Sequence, residues 1–123
     1  MSDVVVVIDD DAMFRQALHR LLSSLGYTVE LYASGEAFLE RASGSRALCL
    51  LIDVQLGSSS GIELARQLAD AGLKFPIVFM TGNTDKSVQM RAIEMGCVGY
   101  LHKPFTVDLL SYILTKSKVG KRD

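Results

Sequence analysis

Cysteine and histidine are both scarce, with two of each among the 123 residues. Two cysteines are too few for a disulfide framework. Cys49 falls inside an apolar run and Cys97 follows Gly96 just ahead of another, so both read as reduced core thiols of a cytoplasmic protein. His19 falls on the polar side of a helical pattern and His102 at the end of an apolar run. Neither reads as a base, a metal ligand or a phosphate donor. No apolar stretch approaches the length that spans a bilayer, and no basic segment leads into an apolar one at the start, so neither a membrane span nor a secretory signal is expected. Net charge is small too: 13 basic residues against 14 acidic ones leave −1. Disorder and a strong field for nucleic acid are both disfavoured, and no direct nucleic-acid binding is expected of this domain. What remains is a chain 49% hydrophobic, enough for one domain that buries roughly two thirds of its unfolded surface.

Apolar runs of four or five residues appear at Val4–Ile8 and at residues 48–52, 77–80 and 98–101, and read as buried strands. Thr28–Tyr32 alternates polar and apolar, as a half-exposed edge strand does. Between the strands lie helical patterns. Met13, Ala17, Leu21 and Leu25 recur every fourth residue, and Gly26 supplies a stop. Ser34 can cap a short helix through Phe38 and Leu39. Ile62, Ala65, Leu68 and Ala69 mark a third helix, residues 85–95 a fourth with a weak apolar pattern, and Thr106 can cap a fifth carrying Val107, Leu110, Ile113 and Leu114. Strict alternation predicts an α/β fold, a five-stranded parallel sheet covered by helices on both faces. The edge character of Thr28–Tyr32 favours the strand order 2-1-3-4-5. Residues 1–118 form one domain on this reading. The basic stretch from Lys116 reads as a frayed end, and residues 119–123 as a tail or the start of a linker to an absent domain.

Asp9 and Asp10 end the first strand and Asp53 ends the third. Ligand chemistry in open parallel sheets sits outside the carboxyl ends of the strands, where the order reverses. Three carboxylates converging there are unfavourable unless a cation or proton neutralises them. One or both of Asp9 and Asp10, together with Asp53, fit a hard divalent ion such as magnesium, and a carbonyl of the following loop could join. Asp11 suits the N-terminus of the first helix. The fourth strand ends in Thr81 and the fifth in His102-Lys103-Pro104, which adds a hydroxyl and an ammonium at the same rim. A cis Lys103–Pro104 bond costs little and could aim the lysine inward. Metal, carboxylate, hydroxyl and ammonium together suit a phosphoryl group in transit, with Asp53 as nucleophile.

The ordered set Asp9-Asp10, Asp53, Thr81 and Lys103-Pro104 resembles the receiver domain of two-component response regulators, over about residues 4–114. Finer features (residues 6–11, 32–39, 81–85 and 103–105) look most like receivers that precede LuxR-type helix-turn-helix output domains. The resemblance implies a flavodoxin-like three-layer fold and a cytoplasmic phosphoacceptor domain rather than a classical enzyme. It also implies transfer from a sensor histidine kinase to Asp53, with Mg2+ or Mn2+ on Asp9, Asp10, Asp53 and the Gln55 carbonyl. Thr81 and Lys103 would contact the phosphoryl group, and Thr81 and Tyr100 would switch together. Gln55 and Asn83 would tune the loss of phosphate. The fourth helix, fifth strand and fifth helix, about residues 85–118, would form the signalling surface and a dimer contact. An output domain, if the full protein has one, would regulate transcription.

One departure from the family pattern stands out. A Met-Pro or Leu-Pro turn usually follows the acceptor, where this chain reads Val54-Gln55-Leu56-Gly57-Ser58-Ser59-Ser60-Gly61. With three serines, two glycines and no proline, this loop is expected to be mobile, partly disordered or displaced without metal, and metal affinity to be weaker. A haloacid-dehalogenase-type phosphatase would need a second aspartate at Gln55. A flavin binder would not place Asp9–Asp11 against a phosphate. A degenerate receiver acting only as an interaction module is the remaining competitor.

Overall fold

The computed structural model describes residues 3–82 and 85–121, with side chains described through Lys118. Five parallel strands form one sheet in the order β2-β1-β3-β4-β5: β1 is Val4–Ile8, β2 Thr28–Tyr32, β3 Cys49–Asp53, β4 Ile77–Thr81 and β5 Gly99–His102. Helices α1 (Ala12–Ser24), α2 (Gly35–Leu39), α3 (Gly61–Asp70), α4 (Lys86–Glu94) and α5 (Val107–Lys121) alternate with them. This is the α/β fold, and the strand order, that the sequence predicts.

The sheet divides the core into two layers. One face carries Val6, Ile8, Leu50, Ile52 and Phe79, packed against Phe38, Ile62, Leu64, Leu68, Val88 and Ala92 of α2, α3 and α4. The other carries Val5, Val7, Leu51, Val78, Met80 and Leu101, packed against Leu18 and Leu22 of α1 and Leu110, Ile113 and Leu114 of α5. The near-continuous apolar runs of β1 and β3 follow from burial on both faces. Cys49 and Cys97 are free thiols. Cys49 is fully buried, and that burial pushes its thiol up to about 12.

Side-chain caps set the helix starts. Asp11 accepts from the Met13 and Phe14 amides at 3.0 and 3.2 Å, and Ser34 from Ala37 at 3.2 Å. Thr106 accepts from Leu109 at 3.1 Å. Two expectations need correction. The basic stretch from Lys116 is not a frayed end: α5 continues through it to Lys121, and Lys118 Nζ pairs with Asp3 at 3.2 Å. The loop after Asp53 is not displaced or disordered. It forms a short antiparallel ribbon that pairs Gln55 with Ser60 and Leu56 with Ser59 around Gly57, whose φ is +60°. Two of the three serines expected to confer mobility supply its order instead. Ser59 Oγ donates to the Leu56 carbonyl at 3.0 Å, and Ser60 Oγ caps α3 by accepting from the Ile62 and Glu63 amides at 3.1 and 3.4 Å.

Candidate functional site

Parallel pairing carries the strands one residue past their apolar runs, and this places the polar side chains. Asp53 is the last residue of β3, in register with Met80, and Thr81 is the last of β4, in register with His102. Val54 N–H donates to the Met80 carbonyl at 2.9 Å and Lys103 N–H to the Thr81 carbonyl at 2.8 Å, so the strand ends are tied across the rim. Asp9 and Thr81 are buried, and Asp53 is only 8% exposed.

These ends open on a cleft of ≈ 450 Å3 lined by Asp9, Asp10, Asp11, Asp53, Gln55, Gly57, Thr81, Gly82 and Lys103. Each buried carboxylate is held at both oxygens. Asp53 Oδ1 accepts from the Gln55 amide at 2.8 Å, and Asp9 Oδ1 from the Asp11 amide at 2.9 Å. The remaining oxygens, Asp53 Oδ2 and Asp9 Oδ2, both take Lys103 Nζ, at 2.6 and 2.7 Å. Burial raises the Asp9 carboxyl above its usual range, aided by the Asp53 charge and opposed by Lys103 and the Asp11 amide. For Lys103 burial acts downward, but the paired hydrogen bonds to Asp53 and Asp9 outweigh it, and its ammonium is raised. The lysine is therefore held charged between two carboxylates.

Asp9, Asp10 and Asp53 each offer an oxygen within 4.8 Å of the others, a set that could hold a metal ion. Asp10 stands exposed at the rim. The donors are all oxygen, as a hard divalent ion requires. For the three candidate ligands, one ammonium against three carboxylates leaves a surplus of two negative charges, and Asp11 on the cleft wall adds to a field that favours a divalent cation.

Most residues expected at the site meet there: Asp9, Asp10, Asp53, Gln55, Thr81 and Lys103 all line the cleft. Asn83 lies outside the described residues. Tyr100 sits back from the cleft, partly buried on the sheet face that α4 covers, and meets His102 edge-on at 5.3 Å. Its hydroxyl is buried with no hydrogen-bond partner among the described residues. The Lys103–Pro104 bond is cis. Three further residues contribute that the sequence analysis does not single out. Arg15 donates to the Asp9 carbonyl at 2.7 Å, and the Phe14 ring lies against Lys103. The third, Ser60, has a legible signal: Ser60-Gly61-Ile62-Glu63 carries the Ser-x-x-Glu spacing of a helix start.

Comparison with known proteins agrees with this geometry. The family model described as response regulator receiver domain matches residues 5–115. The response regulator protein TodT of Pseudomonas putida is 37% identical over 108 residues, covering 85% of this chain and 48% of that protein. The transcriptional regulatory protein FixJ of Bradyrhizobium diazoefficiens is 37% identical over 110 residues, covering 89% and 54%. A crystal structure of FixJ-N superposes with a TM-score of 0.88 at 29% identity, covering 95% of this chain and 94% of that one. The chain spans about half the length of the curated relatives it matches. Strand order, acidic rim, bridging lysine and relatives lead to one assignment: this chain belongs to the response regulator receiver-domain family.

Proposed function

We propose that Asp53 accepts a phosphoryl group from a phosphohistidine of a sensor kinase, or from a small acyl phosphate, and that this changes the α4–β5–α5 surface. The observation that carries the reading is Lys103 Nζ bridging Asp9 Oδ2 and Asp53 Oδ2 inside a three-carboxylate cleft. An Asp53 oxygen attacks phosphorus. A P–O bond forms to the carboxylate while the P–N bond to imidazole, or the P–O bond to acetate, breaks, and the imidazole or acetate departs with the electron pair. Asp9, Asp10, Asp53 and the Gln55 carbonyl would hold magnesium, which supplies charge neutralisation for the phosphoryl oxygens. Lys103, released from Asp53, follows the new charge, and the Thr81 hydroxyl takes another phosphoryl oxygen. Gln55 and Asn83, two residues beyond Asp53 and Thr81, would orient the water that later removes the group.

Incubation with acetyl phosphate and magnesium, followed by intact-mass analysis, tests this. One phosphoryl group is expected, and none when a chelator removes the metal. Uptake that is indifferent to the chelator, or absent from folded protein, contradicts the reading.

The output side rests on α4, which buries only Val88 and Ala92 and leaves Met90 and Ile93 exposed, and on α5, which exposes Leu109 and Tyr112. An element with so few buried anchors can shift at small cost. A shift of Thr81 toward phosphate would open room for Tyr100 to move inward. Homodimerisation through this surface after phosphoryl uptake is expected, with DNA-directed output from a further domain where one is attached. Sedimentation before and after uptake checks the dimer: a mass that stays that of one chain contradicts it. Among the described residues no helix is long and apolar enough to cross a membrane.

A further inference from the structure

We propose that Phe14 is a positioning residue for Lys103, holding its ammonium by the face of the ring while it exchanges a carboxylate for a phosphoryl oxygen. The inference rests on the phosphoacceptor reading above. Lys103 Nζ lies 4.0 Å from the centroid of the Phe14 ring. An ammonium has three donors, and two are taken by Asp9 Oδ2 and Asp53 Oδ2. The ring covers a further side with a face of negative potential, which attracts a cation and keeps water off it.

The ring is itself fixed. Phe14 sits in the first turn of α1, where its amide donates to the Asp11 cap at 3.2 Å. The Phe14 and Phe105 rings stand nearly perpendicular, centroids 6.1 Å apart at 87°, and Phe14 packs against the α1–α5 side of the core. Phe105 lies two residues after Lys103, so the ring that packs on Phe14 and the ammonium that Phe14 faces come from one short segment.

The contact matters at one step. While Lys103 bridges both carboxylates, Asp53 Oδ2 is occupied by a donor. As phosphorus arrives, the ammonium must leave that oxygen without escaping into water, where strong hydration would compete with the phosphoryl oxygen. A ring face is indifferent to small lateral displacement, so it holds the ammonium through the exchange, and its attraction counts most when the donor has left Asp53 and not yet met the phosphoryl oxygen. An aliphatic side chain of similar bulk would fill the space but offer no negative face.

Phe14 replaced by mono-, di- and trifluorinated phenylalanine weakens the face in steps while nearly preserving shape. The rate constant for phosphoryl uptake from acetyl phosphate with magnesium is expected to fall at each step, ~10-fold in total. The half-saturating donor concentration and the denaturation midpoint should stay level, since a purely structural role would not follow the ring's electrostatics. In metal-free protein, the Lys103 ε-methylene resonances should lie upfield through the ring current, lose that shift in Phe14→Leu, and keep it in the fluorinated series. A flat rate series in an active protein, or Lys103 resonances unmoved in Phe14→Leu, overturns the role of Phe14 alone. A wild-type chain that takes up no phosphoryl group overturns the phosphoacceptor reading, and the reaction role of Phe14 with it.

Discussion

Asp53→Asn is expected to abolish phosphoryl uptake from acetyl phosphate and magnesium while leaving the chain folded. An amide nitrogen or oxygen in place of the carboxylate is a poor nucleophile, and among the described residues no other carboxylate combines the same placement: Asp10 is exposed at the rim, and Asp9, tied in the same way as Asp53, is fully buried where Asp53 keeps 8% of its surface open to the cleft. The fold should tolerate the change. Asn can keep an oxygen on the Gln55 amide, now 2.8 Å from Asp53 Oδ1, and the lost ion pair with Lys103 is offset by relief of repulsion between Asp9 and Asp53. The expected change in stability is ~1 kcal/mol, read from denaturant midpoints. Removal of one charge from the cluster should also weaken magnesium binding. Uptake by Asp53→Asn at the wild-type rate would show that the acceptor is elsewhere.

Gly61→Ala is expected to be the most damaging single methyl near the site. Gly61 starts α3, and its amide donates to the Val54 carbonyl at 2.7 Å. A Cβ built there would run into the carbonyl oxygen of Asp53 and lie 2.7 Å from Ile52 Cγ2. The nearest obstacle is backbone, which cannot rotate away, so either α3 or the end of β3 must shift. Overpacking typically costs roughly 1–3 kcal/mol, and a backbone clash belongs at the upper end, ~3 kcal/mol. Because the clash is with Asp53 itself, the carboxylate moves and phosphoryl uptake falls with stability. Gly44→Ala supplies the control: a Cβ there meets nothing within 4 Å, and its stability change should stay within ~0.5 kcal/mol. Equal effects at the two glycines would contradict the close approach of α3 to Asp53.

Much of this architecture is legible in the sequence, for definite reasons. Burial on both faces writes β1 and β3 as unbroken apolar runs, and half-exposure writes β2 as an alternation, which supports β2 at an edge beside β1, while the rest of the order follows from the family resemblance. Asp11, Ser34 and Thr106 announce themselves as caps by their positions before apolar periodicity. Apolar runs end one residue short of the strands at Asp53, Thr81 and His102, because apolar character stops before the hydrogen-bonded ladder does. The loop after Asp53 misleads for a different reason. Serine and glycine signal freedom when counted, yet in this loop four of the five make a specific contact or turn. Gly57 takes the left-handed turn, Ser59 closes it, Ser60 caps α3 and Gly61 admits its approach. Composition cannot show that. The Ser-x-x-Glu spacing can. The contacts of Phe14 and Arg15 lie beyond the sequence because they depend on how α1 sits over the rim, which no local pattern states.

The site's central claim is a covalent one, an acyl phosphate on Asp53, and reductive trapping tests it most directly. Protein treated with acetyl phosphate and magnesium is reduced with borohydride, which converts an aspartyl phosphate to homoserine, and is then digested and sequenced by mass spectrometry. Homoserine at position 53, absent without magnesium, is the predicted result. Homoserine at Asp9 or Asp10, or at no position in a chain whose mass had risen by a phosphoryl group, would contradict it.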